Sequence, residues 1–114
     1  MTNEKINKQL LKAQQEADKD QSRDLILCIA NDGDIYRQSI KPTIANLRRK
    51  IKKGNFDETQ SIQAFYNIVL SALKNPQFNR YYTYNINMVT VPTRYYTAVE
   101  LAEYFEDEIF TTEE

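Results

Sequence analysis

The chain has 114 residues, 41% of them apolar and 27% charged, with a net charge of −1, which is one domain's length and enough for a single core. It has no histidine and one cysteine, so an intramolecular disulfide and a Cys/His zinc site within one chain are excluded, and the commonest general base is missing. Two glycines and three prolines leave room for long helices and argue against a many-turned β-sandwich.

In chain order, residues 4–20 are polar and helix-prone, with a thin apolar stripe at Ile6, Leu10, Ala13 and Ala17. This predicts a marginal helix within residues 1–21 that frays or docks elsewhere. Ser22 is placed to cap a second segment, Arg23 to Ala30. Its apolar run is too short to separate helix from buried strand, and the helical approach favours helix. Cys28 within it reads as a small hydrophobe rather than a reactive thiol.

Asn31-Asp32-Gly33-Asp34 is a predicted turn, with Gly33 supplying backbone freedom and Asp34 accepting amide hydrogens from the next helix. Pro42 fits the first turn of a helix whose stripe is Ile40, Ile44, Leu47 and Ile51, and Gly54 ends it as a left-handed cap. Asp57 and Gln60 have capping-box spacing and open a helix to about Lys74, apolar on most sides and so the centre of the core. Asn75-Pro76 stops it.

Residues 77–92 read as irregular, with Ile86, Met88, Val89 and Val91 suited to an extended strand that lacks an evident partner. Thr93 or Thr97 caps a last helix with Ala98, Leu101, Ala102, Phe105 and Ile109 on its apolar face. The tail 111–114 is expected to fray. The predicted fold is mainly α: a compact single domain, 1–114, of four to five helices, with a short β element near 85–91 left open.

Charge is segregated. Arg37 to Lys53 holds seven bases and no acid, and Glu100 to Glu114 holds seven acids and no base. The basic-face candidates are Arg37, Lys41, Arg48, Arg49, Lys52 and Lys53, read either as a phosphate-binding face or as a solvated helix flank. The acidic-face candidates are Glu100, Glu103, Glu106 and Asp107, read as a surface for a basic partner or as a solvated face. The two blocks can also face each other, within the fold or between subunits.

Tyrosine and arginine cluster as well: Arg80, Tyr81, Tyr82 and Tyr84, then Arg94, Tyr95 and Tyr96. Such residues dominate binding hot spots and stack on unpaired bases, so these seven are the partner-binding candidates; the alternative is that they seal the core's edge. Asp32 and Asp34 are too few for a calcium cage, and turn and capping duties account for both. No phosphate loop, dinucleotide-binding glycine pattern or nucleophile elbow occurs. No catalytic residue, cofactor or metal ligand is assigned, and the chain reads as non-enzymatic.

The stretch Asn31-Asp32-Gly33-Asp34-Ile35-Tyr36-Arg37, followed by Pro42-Thr43-Ile44 and Asn46-Leu47, resembles small bacteriophage-encoded proteins of unknown function. The resemblance extends over residues 24–106, closing on Ala98-Val99-Glu100-Leu101-Ala102-Glu103-Tyr104-Phe105-Glu106, and the Tyr-rich stretch departs from it. It implies a phage or prophage accessory factor, a class that includes inhibitors of defence systems, and it carries over no site residues.

No basic-then-apolar leader opens the chain, and no apolar run approaches the ~20 residues of a bilayer span. The expectation is therefore a cytoplasmic protein, in a bacterial host cell, without membrane contact. A protein is the expected partner. The alternatives are a nucleic acid on the 37–53 helix, or a homo-oligomer in which the charged blocks meet.

Overall fold

In a computed structural model that describes residues 3–111, the chain is a single mainly α domain with a radius of gyration of 13.9 Å, close to the ~13 Å of a compact chain this long. Helix α1 (Asn3–Glu16) is followed by α2 (Lys19–Ala30) and the one-turn α3 (Gly33–Ile35). A π-helical turn, Tyr36–Ile40, joins α3 to α4 (Lys41–Lys52). Next come α5 (Glu58–Lys74), α6 (Pro76–Tyr82), a 3₁₀ turn at Ile86–Met88, α7 (Val91–Tyr104) and α8 (Glu106–Phe110). The helical pieces outnumber the four to five expected, because α3, α6 and α8 are short helices in stretches read as turn, loop or continuation.

The core lies between α5 and α7, with α1 and α2 on the other sides of α7. Phe65, Val69 and Leu73 of α5 and Ala98 and Leu101 of α7 are fully buried. Burying a Phe, Val or Leu side chain contributes roughly 1.5–3 kcal/mol, and three of the four such residues here are on α5, the energetic centre its sequence announces. Asp57 caps it as expected, accepting from Thr59 N–H at 2.9 Å. The reciprocal half of the capping box is not made, because Gln60 instead accepts from Lys50 Nζ at 3.3 Å. Gly54 takes φ +74°, the left-handed cap predicted for it.

Helix α1 docks on α7 and α5. Ile6 and Ala13 are buried, and Ala13 packs into the core with the partly buried Leu10 against it. The cap of α2 is Asp18, which accepts from Gln21 N–H at 3.0 Å, and not Ser22. Ser22 lies inside the helix, fully buried, against Thr97 at 2.8 Å. Likewise Thr90 caps α7, while Thr93 and Thr97 lie within it as buried seam residues. Thr93 Oγ1 accepts from Asp18 N–H at 3.0 Å, so the α2 entrance and the first turn of α7 are bonded together.

No strand occurs among the described residues. Of the apolar residues at 86–91, Ile86 and Met88 lie in a 3₁₀ turn, Val89 follows it and Val91 opens α7, and Arg94 takes two of the segment's carbonyls: Nε donates to Val89 O at 2.9 Å and an Nη donates to Ile86 O at 3.0 Å. Asn75 ends α5 and also starts α6, accepting from Gln77 and Phe78 N–H. Of the tail expected to fray, Thr111 is described, its backbone oxygen taken by Arg48 at 3.4 Å, and residues 112–114 lie outside the described residues. No helix among the described residues is long and apolar enough to cross a membrane.

Candidate binding groove

Asp32 is the N-cap of α3, accepting from Ile35 N–H at 3.0 Å. Gly33 does not use a left-handed backbone, and the acidic residue predicted to accept amide hydrogens, Asp34, instead pairs with Arg37 at 2.6 Å. The Arg37 guanidinium folds back over Gly33, where an added Cβ would meet Nη1 at 3.2 Å. Across from this turn stands α6. Its Tyr82 hydroxyl donates to Asp32 Oδ2 at 3.0 Å, which ties α6 to the cap of α3.

Between the two walls lies a groove of about 840 Å³, in the size range of ligand-binding clefts. Ile68, Ala72 and Phe78 contribute apolar surface, and Gln38, Ser71 and Gln77 contribute neutral hydrogen-bonding groups. Its charges balance, with Asp32 and Asp34 against Arg37 and Arg80. Tyr81 is 81% exposed beside the groove, its ring edge-on to Tyr82 at 4.7 Å. The groove thus unites Arg37, from the basic block, with Arg80, Tyr81 and Tyr82. Gln38, Ser71 and Gln77 carry no sequence signal, since isolated amides and hydroxyls on helices look like any solvated flank.

The other tyrosines and Arg94 are elsewhere. Tyr95 is buried in the core and stacked on Tyr66 with centroids 3.9 Å apart, so it is not part of a partner surface. Arg94 is engaged by the 3₁₀ turn. Tyr96 is half-buried under Lys19, whose Nζ lies 5.7 Å from the ring centroid. Tyr84 donates to Asp24 Oδ2 at 2.7 Å. Burial, with the hydrogen-bonded carboxylates Asp32 and Asp24, pushes the Tyr82 and Tyr84 hydroxyls up to about 12. Cys28, packed against the core and half-buried, is raised above the usual thiol range by burial and by Asp24, which disfavours the reactive thiolate.

The charged blocks are neighbours in one molecule, because α8 packs on α4. Among the described residues they form no ion pair with each other; both ion pairs found, Arg23–Asp20 and Arg37–Asp34, are local. Arg48 of the basic block donates to the Thr111 carbonyl, and beside that contact Tyr36 donates to Glu108 at 2.9 Å and Phe110 lies edge-on to Phe56 at 5.2 Å. That hydrogen bond to Glu108, more than burial, raises the Tyr36 hydroxyl. Lys41, Arg49, Lys52 and Lys53 are exposed, and Arg49 donates to Asn46 at 3.3 Å. Glu103, Glu106 and Asp107 are exposed and Glu100 is half-buried.

Comparison with family models, with curated proteins and with solved structures finds no match to this chain.

Proposed function

We propose that this is a non-enzymatic binding protein that docks a protein partner at the groove between the α3–α4 junction and α6. The observation that carries the reading is Tyr81, 81% exposed beside Arg80 at a cleft. A large aromatic held on a helix loses little freedom on binding and offers much area, and arginine beside it adds directional donors. The balanced charge of the groove supports a polypeptide over a phosphate backbone, which is attracted mainly by uncompensated cations. The resemblance of the Asn31–Arg37 stretch supports a phage accessory factor that modulates a host or phage protein.

A second reading places nucleic acid on α4, where Lys41, Lys52 and Lys53 are exposed and form no ion pair among the described residues. The acids of α8, packed on the same helix, work against it. A tagged pull-down from bacterial lysate, with and without nuclease, separates the two. The expected result is a protein captured regardless of nuclease by the parent chain and lost with Arg80→Ala/Tyr81→Ala. Capture unchanged by those substitutions removes the groove as the docking surface, and capture lost with nuclease moves the function to α4.

A further inference from the structure

The π turn that forms part of one wall of the groove runs into Pro42, and its backbone ladder is short of donors as a result. In a regular α-helix the N–H of residue 41 serves the carbonyl of residue 37, and that of residue 42 serves residue 38. Here Lys41 gives its N–H to the Tyr36 carbonyl, one residue further back, and Pro42 has none to give. The carbonyls of Arg37 and Gln38 therefore both lack their regular helical donors. Arg37 and Gln38, together with Ser39, are also the residues of this turn that line the groove. Backbone carbonyls without their regular donor turn to water or to a ligand, and single π turns are frequent at functional sites.

We infer that the groove recognises an extended polypeptide segment, whose backbone N–H groups donate to the carbonyls of Arg37 and Gln38. The inference deepens the protein-binding reading and rests on it. A helical ligand has few free N–H groups, because its own ladder consumes them, whereas an extended segment presents one per residue. The groove's net neutrality fits recognition of a main chain, which is polar but uncharged. The apolar surface of Ile68, Ala72 and Phe78 then receives a side chain of the segment, and Tyr81 closes over it from the α6 side.

The test uses the full chain and a displayed library of random peptides. The expected outcome is a selected peptide whose binding is lost with Tyr81→Ala. Synthesised with a single N-methyl group at each position in turn, that peptide should lose affinity roughly two- to tenfold at one or two positions, the worth of a single hydrogen bond. Pro42→Ala, which returns one N–H to the turn, should remove part of that penalty by weakening the parent peptide while raising the melting temperature of the protein. A Tyr81-dependent peptide that tolerates N-methylation at every position, or that binds Pro42→Ala as tightly as the parent, overturns main-chain recognition alone. A library that yields only peptides indifferent to Tyr81→Ala, or none, overturns the groove as a protein-docking site and this inference with it.

Discussion

Ser22 donates its hydroxyl hydrogen to Thr97 Oγ1 across the buried α2–α7 seam, at 2.8 Å. The direction is fixed by hydrogen count. Thr97 has one hydroxyl hydrogen and gives it to the Thr93 carbonyl at 2.8 Å, so at this contact it can only accept. Ser22 and Thr97 are both fully buried, and neither can fall back on water.

The pair should therefore respond asymmetrically. Ser22→Ala leaves Thr97 with its Thr93 bond and should cost about 0.5–1.5 kcal/mol. Thr97→Val strands the Ser22 hydroxyl without an acceptor and should cost about 1–3 kcal/mol. The double variant should recover part of the Thr97→Val loss. Urea unfolding of the three variants measures this, and equal single costs with full additivity would falsify the assigned direction.

Two tyrosines from the same sequence cluster should behave in opposite ways. Tyr95, stacked on Tyr66 in the core, should cost about 3–5 kcal/mol when replaced by Ala. Tyr81, standing in solvent, should change stability by no more than about 0.5 kcal/mol. Thermal denaturation of the two variants checks the division between core and surface.

High pH should loosen the α6 region. The Tyr82 and Tyr84 hydroxyls sit at about 12 in the fold, against 10.0 for an unperturbed tyrosine. An acid whose folded pKa is raised adds stability that is fully present below its unfolded value and is lost as pH climbs toward the folded one. Stability should thus decline between pH 10 and 12, and Tyr82→Phe/Tyr84→Phe should flatten that decline. The same slope in the double variant, read by urea unfolding at several pH values, would count against the two Tyr–Asp bonds.

The acidic face should be self-repelling. Desolvation by the surrounding protein, although the side chain is exposed, followed by repulsion from Glu100, Glu106 and Glu58, holds the Glu103 carboxyl above its usual range. Its stabilising share is present at acid pH and lost as pH rises through the raised value, so ionised Glu103 is a burden at neutrality. Glu103→Gln should raise the melting temperature at pH 7 and change it little at pH 4, as differential scanning calorimetry would register.

Where local chemistry decided the structure, the sequence was readable. Gly54 has nothing around it and takes the left-handed turn that glycine alone adopts cheaply, and Asp57 caps α5 with an amide two residues away. The stripe Ile44, Leu47, Ile51 needs only helical period to be placed. What escaped were residues whose partners lie far along the chain. Thr93 and Thr97 have the spacing of caps, and only Asp18 and Ser22, each 75 residues away, make them seam residues. Ile86, Met88, Val89 and Val91 suit an extended strand by composition, but Arg94 holds the carbonyls of Ile86 and Val89 from one side, Ile86–Met88 forms a 3₁₀ turn and Val91 joins α7. For the groove, the Asn31–Arg37 stretch and Arg80–Tyr82 each stood out alone. Their meeting depends on Tyr82 reaching Asp32 across 50 residues, which no local pattern encodes.

The π turn at Tyr36–Ile40 also sets the rotational phase of the whole of α4. Each residue advances an α-helix by about 100°, and this wider turn takes up one residue without passing the rotation on. Because of that, Ile40, Ile44 and Leu47 arrive buried while Lys41, Arg49 and Lys52 arrive in solvent. Removing a single residue here would let the turn relax to a regular α-helix with α4 still in phase, whereas removing one from the regular turns of α4 would roll everything after it by about 100° and swing the apolar stripe outward. The segment is slack in the winding of the chain: it can give up Gln38 or Ser39 at less cost to the packing of α4 than a deletion anywhere in the turns that follow.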